Sequence, residues 1–175
     1  MKKSAALAAA CFGLSAFVWA HEDPAKMPAP NYSSGLQQVK QLAGTWKGTA
    51  TGHDGKNKPV TVEYRVTSGG SAVIERLAIG AENEMVDMYD DEAGQLAMTH
   101  YCAMGNHPHM VLKKSDAKQI VLEMGPTTGI DPAKDAHMHA LTLEFPDANH
   151  LNQRWTNYEN GKPMGTVVFT LVKAN

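Results

Sequence analysis

The sequence lacks the features that identify several large classes of protein. Two cysteines among 175 residues cannot form a disulfide framework. Lys and Arg number 16 against 18 Asp and Glu, so no basic excess points to nucleic acid as a partner. No G-x-S-x-G motif of a serine hydrolase is present, and no internal repeat. What is present, 43% apolar and 19% charged residues, is typical of one folded domain.

The first twenty residues have the pattern of a secretory signal peptide. Lys2 and Lys3 precede a 16-residue apolar segment that ends at Ala20, and a polar segment follows at once. Sixteen residues are shorter than the roughly 20 that a membrane helix needs, so we expect no stable membrane span after cleavage. We therefore predict cleavage after Ala20 and a secreted or periplasmic protein. Acylation at Cys11 of a lipoprotein precursor is the alternative.

The mature chain begins with an extended leader and one short helix. Residues 21–33 carry three prolines and no periodicity. Leu36, Val39 and Leu42 then repeat at helical spacing, with Ser34 as the expected N-cap and Gly44 as the stop. We predict one domain over residues 34–175.

The rest of the chain alternates between short strands and turns. Val60, Val62, Tyr64 and Val66 alternate with polar residues, as in a half-buried strand. No helical segment separates the strands, so the sequence predicts an all-β fold: an antiparallel, up-and-down barrel of about ten strands with a short N-terminal helix. The expected strands are 45–52, 59–68, 71–80, 84–90, 95–104, 109–114, 118–124, 136–145, 150–158 and 164–173.

A helix followed by Gly44-Thr45-Trp46 resembles the opening of the calycin barrels, the lipocalins and their relatives. The segment 42–48 is similar to the start of the nitrobindin branch, and MTHYCAMGNHPHM (98–110) resembles a group of secreted bacterial lipocalin-like proteins of unassigned function. The resemblance implies a barrel with an interior ligand and Trp46 beneath its floor. Nitrobindins hold haem through one histidine, but no motif identifies that residue here.

Strand alternation also predicts which side chains enter the barrel. In residues 96–104 the inward face is Leu96, Met98, His100, Cys102 and Met104. The same reasoning predicts that Glu75 points inward together with Val73, Leu77 and Ile79. On a later strand it predicts that Gln153 points inward together with Leu151 and Trp155. It also directs inward His137, His139, Leu141, Leu143 and Phe145.

Polar groups inside a barrel indicate a cavity, because each one left unpaired costs about 1–3 kcal/mol. We expect a binding site for a small hydrophobic or metal-containing ligand. Its expected lining is Tyr64, Glu75, Met98, His100, Cys102, His137, His139, Gln153 and Trp155. Copper, zinc or haem are the candidate cofactors, since imidazole and thiolate suit them, and the candidate metal ligands are His100, Cys102, His137 and His139. A metal-free pocket and a purely structural polar core are the alternatives.

The same residues allow an enzymatic interpretation. Cys102 paired with His139 or another of these histidines could act as a nucleophile on a small substrate, with Glu75 as acid or base. His107 and His109 belong either to the mouth of this site or, as we prefer, to a turn at Gly105 to Pro108. His21 would be the first mature residue and a member of a copper brace only if a second histidine were near.

Overall fold

A computed structural model describes residues 31–174 of the chain. The expected signal peptide, Cys11, His21 and most of the leader lie outside the described residues. No helix within 31–174 is long and apolar enough to cross a membrane.

Ten antiparallel strands form a closed barrel in which each strand pairs with its neighbours in sequence, and the first strand pairs with the last. The all-β, up-and-down architecture expected from the sequence is therefore confirmed. The strands are β1 Gly44–Thr51, β2 Asn57–Thr67, β3 Ala72–Leu77, β4 Met85–Glu92, β5 Gln95–Tyr101, β6 His109–Asp116, β7 Gln119–Met124, β8 His137–Asp147, β9 His150–Glu159 and β10 Lys162–Lys173.

A short helix, α1 (Ser34–Lys40), packs against β2 to β5 and closes one end of the barrel. Its N-cap is Ser33 rather than the expected Ser34: the Ser33 hydroxyl accepts from the Leu36 amide at 3.1 Å. Asp91 at the end of β4 in turn accepts from the Ser33 hydroxyl at 2.6 Å. A cap that is itself held by the barrel fixes the helix over its end.

Trp46 lies beneath this helix, as the resemblance implied. Its side chain is buried, and Nε1 donates to the Leu42 carbonyl at 2.8 Å. Leu36, Val39 and Leu96 pack into the same apolar cluster. This end of the barrel is therefore filled, and any internal space must lie toward the other end.

The seam between β1 and β10 is unusually close at Gly48. A Cβ at this position would stand 1.9 Å from the Thr170 carbonyl oxygen. Only a residue without a side chain permits this approach. The glycine therefore allows the first and last strands to pair and the barrel to close.

Candidate functional site

A cavity of about 390 Å³ opens at the end of the barrel opposite α1. We call it the open-end cavity. Its most deeply buried lining residues are His100, Leu77 and Trp155, while Met104 at its edge is half exposed. The walls are largely apolar, and the β1–β2 loop brings Asp54, Lys56 and Lys58 to the edge. The apolar lining includes Val60, Leu77, Met85, Met138, Val167 and Phe169.

Four polar side chains stand side by side on four consecutive strands. Tyr64 pairs with Glu75, Glu75 with Asp87, and Asp87 with His100. Directly opposed residues share one face of a sheet, and all four are buried. We call this set the polar row. It joins the open-end cavity, through His100, to the barrel interior.

Gln153 on β9 reaches the polar row from the opposite wall. Its Nε2 donates to the Tyr64 hydroxyl at 2.7 Å and to Glu75 Oε1 at 2.5 Å. Its Oε1 accepts from Trp155 Nε1 at 3.0 Å, and Tyr89 donates to Glu75 Oε2 at 2.6 Å. Because both amide hydrogens and the amide oxygen are used, these contacts fix the orientation of the Gln153 amide.

His100 is oriented by Asp87. Its Nδ1 lies 2.6 Å from Asp87 Oδ1, and its ring packs on Trp155 with centroids 4.7 Å apart. The other ring nitrogen, Nε2, is buried and has no hydrogen-bond partner within the described residues. A buried polar atom without a partner is costly. Here it belongs to a residue that lines the open-end cavity.

Cys102 follows β5 and lies half buried at the same cavity. The chain turns there, because the Cys102 amide donates to the Asn106 carbonyl at 3.0 Å and Gly105 takes a φ of +82°. Burial raises the pKa of the Cys102 thiol, but the nearby His100 imidazole and the Met104 amide outweigh it, so that the pKa is lowered. The thiol is therefore biased toward its nucleophilic form.

The protonation state of each group in the polar row depends on the charge of its neighbours. Burial, and then the negative charge of Asp87, raise the pKa of Glu75 to about 8, so Glu75 carries a proton at neutral pH. Burial lowers the pKa of His100, but the Asp87 carboxylate more than offsets this and raises that pKa to about 10. Burial also raises the pKa of Asp87. At neutral pH the row therefore holds a neutral glutamic acid beside an Asp87–His100 ion pair.

Most side chains that alternation directs inward are inside the barrel. Tyr64, Glu75, Met98, His100, Gln153 and Trp155 are all buried, and His100, Cys102 and Trp155 line the open-end cavity. Ile79 is not on a strand, because β3 ends at Leu77 and the chain turns at Ala78 with a φ of +54°. Phe145 is only partly buried, on the far half of β8.

His137 is fully buried, but neither it nor His139 lines the cavity. Met138 lines it instead, because the pairing of β8 with β9 shifts register between Met138 and Ala140. His137 Nδ1 contacts the Asp135 carbonyl at 2.8 Å, and its Nε2 lies 3.2 Å from His139 Nδ1. The His139 ring stacks on Tyr158 at 3.9 Å, and burial and His137 lower its pKa.

Consequently, the four expected metal ligands do not come together. Within residues 31–174 no group of three or more His, Cys, Asp or Glu side chains is arranged to hold a metal ion. His100 and Cys102 remain neighbours, while His137 and His139 form a separate pair. The expected partnership of Cys102 with His139 and Glu75 is likewise replaced by one with His100.

His107 lies in the turn, as preferred from the sequence, whereas His109 is the first residue of β6 and pairs with Thr99. The His107 ring packs edge-on against Tyr101 at 5.0 Å, and His109 Nε2 lies 3.1 Å from Glu92. Neither residue is in the cavity lining. The sequence reasoning missed Asp87 and Tyr89, although Met85, Asp87 and Tyr89 alternate along β4 in the same way as the inward residues of β5.

Comparison with known proteins gives structural likeness but no family. No protein-family model matches the chain, and no curated protein matches it. Among solved structures, the chain is similar to a redesigned beta barrel at a TM-score of 0.38 and 14% identity, over 78% of this chain and 95% of that one. The fold assignment rests on the strand pairing itself.

Proposed function

We propose that this protein is an exported β-barrel of the calycin type that binds one small, largely apolar ligand in the open-end cavity. His100 and Cys102 supply the polar contacts to that ligand. The short helix and buried Trp46 beneath the barrel support the calycin relationship. Apolar walls with a few polar groups are characteristic of small-molecule sites.

The observation that carries this proposal is the unpartnered Nε2 of His100. Asp87 holds the opposite side of the imidazole, so rotation cannot satisfy Nε2 without breaking the 2.6 Å contact. A bound acceptor atom would remove a cost of about 1–3 kcal/mol. The 390 Å³ cavity is within the usual size range of ligand pockets.

Native mass spectrometry of the exported protein tests this function. We expect a non-covalent mass adduct of an organic molecule, lost on denaturation, and much less adduct in the cavity-filling variant Val167→Trp. Elemental analysis and a visible spectrum of the same sample test the expectation of copper, zinc or haem. Equal adducts in both proteins would show that the molecule lies elsewhere.

Export is tested separately. The N-terminal sequence of protein recovered from the bacterial periplasm is expected to begin at His21. A chain that retains residues 1–20 in the cytoplasm would contradict the proposed signal peptide.

A further inference from the structure

Three side chains at the open end are arranged in an order that ligand binding alone does not require. Asp87 contacts Nδ1 of His100 at 2.6 Å, and the second ring nitrogen, Nε2, has no hydrogen-bond partner among residues 31–174. Cys102 lies two residues farther along the same chain segment and lines the same cavity as His100. The order is carboxylate, imidazole and thiol, and of the three residues only Cys102 is not fully buried.

This order matches the physical requirements of an activated nucleophile. A charged imidazole beside a thiol stabilises the nucleophilic thiolate, and a third group fixes the imidazole in the required orientation. Asp87 is buried and is held opposite His100 by strand pairing, so it can orient the imidazole without exposure to water. Cys102 is a free cysteine.

We propose that Cys102 is a nucleophile for acyl transfer from a small ester or thioester bound in the open-end cavity. His100 is the acid and base, and Asp87 is a positioning residue. The proposal rests on the proposed function, since the substrate must enter that cavity. The apolar wall formed by Val60, Leu77 and Val167 suits a hydrocarbon acyl chain.

The reaction consists of two balanced steps. In the first, the Cys102 thiolate bonds to the carbonyl carbon, the bond from that carbon to the leaving oxygen or sulfur breaks, and protonated His100 gives its Nε2 proton to the leaving group. In the second, neutral His100 takes a proton from water as the water oxygen attacks the acyl carbon. The carbon–sulfur bond then breaks, releasing a carboxylic acid and restoring the thiolate and the protonated His100. No oxidant or reductant is needed.

Nitrophenyl esters with acyl chains of increasing length test this chemistry. We expect a burst of one nitrophenolate per protein, and, after acid quenching, a mass increase equal to the acyl group on the peptide that contains Cys102. Cys102→Ser should lose both signals. His100→Gln should acylate about 100-fold more slowly, at the lower end of the usual contribution from general acid–base catalysis.

The role of Asp87 requires a readout that a merely structural residue would not change. We expect Asp87→Asn to move the pH profile of acylation toward higher pH, because the profile then follows a thiol that lacks a charged imidazole partner. Asp54, Lys56 and Lys58 at the cavity edge and Glu75 behind Asp87 are the other charged or titratable groups that face the site. These groups are the same in wild type and Asp87→Asn, so the shift of the profile is assigned to Asp87.

His139→Gln is the matched control, since His139 lies outside the cavity and should leave the burst unchanged. Acyl groups found only on lysines, or equal acylation rates in wild type and His100→Gln, would overturn the inference. Binding of an apolar dye without acylation of Cys102 would overturn it too, while leaving the proposed function intact. If neither the dye nor the ester occupied the cavity, the inference and the proposed function would both be contradicted.

Discussion

At the scale of single residues, the interior differs from a core built only for stability. Glu75 and Asp87 stand opposite each other on β3 and β4, fully buried, where two negative charges would repel strongly. Burial and the charge of Asp87 keep a proton on Glu75, although the donors Tyr89 and Gln153 act to lower its pKa, and Asp87 holds a cation on His100. Protonation of this row is therefore part of the folded structure.

Stability should consequently depend on pH through Glu75. The folded-state pKa of about 8 lies above the ordinary value of 4.5, so the folded protein binds the proton more tightly than the unfolded chain. The contribution is complete below about pH 4.5 and is lost as the pH rises through 8. The slope approaches about 1.4 kcal/mol per pH unit between these values.

Urea unfolding from pH 5 to 9 measures this effect. We expect Glu75→Gln to show a shallower fall in unfolding free energy than wild type, and Glu123→Gln, an exposed glutamate on β7, to follow wild type. The raised pKa of His100 makes the unfolding free energy fall with rising pH in all three proteins as well. Parallel curves for wild type and Glu75→Gln would contradict the assigned proton.

Alternation identified Glu75, His100 and Gln153 as interior residues, because each lies on a strand without a local bulge. Asp87 is absent from the expected interior residues, although it alternates with the buried Tyr89 on β4. No sequence signal states that Asp87 and His100 are direct ladder partners. That pairing follows only from the register of β4 and β5.

At the scale of elements, one polar contact between distant segments ties the start of α1 to the barrel. Asp91 accepts from both the amide and the hydroxyl of Ser33, at 2.7 and 2.6 Å. The same hydroxyl caps the helix. Helix capping and docking to the barrel are therefore coupled.

A double-mutant cycle of Ser33→Ala and Asp91→Asn tests this coupling by urea unfolding. Loss of the cap alone costs about 1 kcal/mol. Residues that share such contacts are expected to show a coupling energy of about 0.5–3 kcal/mol. Strictly additive effects would mean that Asp91 does not act through Ser33.

Closure of the barrel should depend on Gly48. A methyl group there meets the backbone of β10, which cannot move aside as a side chain can, so we expect Gly48→Ala to destabilise the protein by about 3 kcal/mol. Gly52→Ala is the control, since its added carbon would meet only Asp54 Oδ1, at 3.4 Å. Thermal unfolding followed by circular dichroism compares the two, and equal midpoints would contradict a tight seam.

The elements themselves were readable from sequence: all ten expected strands exist, with ends displaced by a few residues. The departure on β8 has a specific cause. The β8–β9 register shifts between Met138 and Ala140, so the count by twos that correctly places Leu141 and Leu143 does not bring His137 and His139 into the cavity lining, although His137 is fully buried. A bulge reverses which side of the sheet every later residue faces, and no residue near His139 predicts a bulge from the sequence.

At the scale of the whole molecule, the two ends of the barrel differ in structure: one is filled and the other contains a cavity. The end beneath α1 is filled by Trp46, Leu36 and Leu96 and supplies stability. The other end contains the open-end cavity, with His100 among its most buried lining residues and Cys102 nearer its mouth. The polar row connects the His100 site to the rigid interior, which keeps its geometry fixed.

The most direct test of this account is a fluorescence titration with anilinonaphthalene sulfonate, a small apolar dye with one anionic group. Wild type is expected to bind one equivalent. Val167→Trp fills the cavity and should weaken binding at least tenfold, whereas Val172→Trp, at an exposed outer position, should not. Equal affinity in all three proteins, or no saturable binding to wild type, would contradict a ligand site inside the barrel.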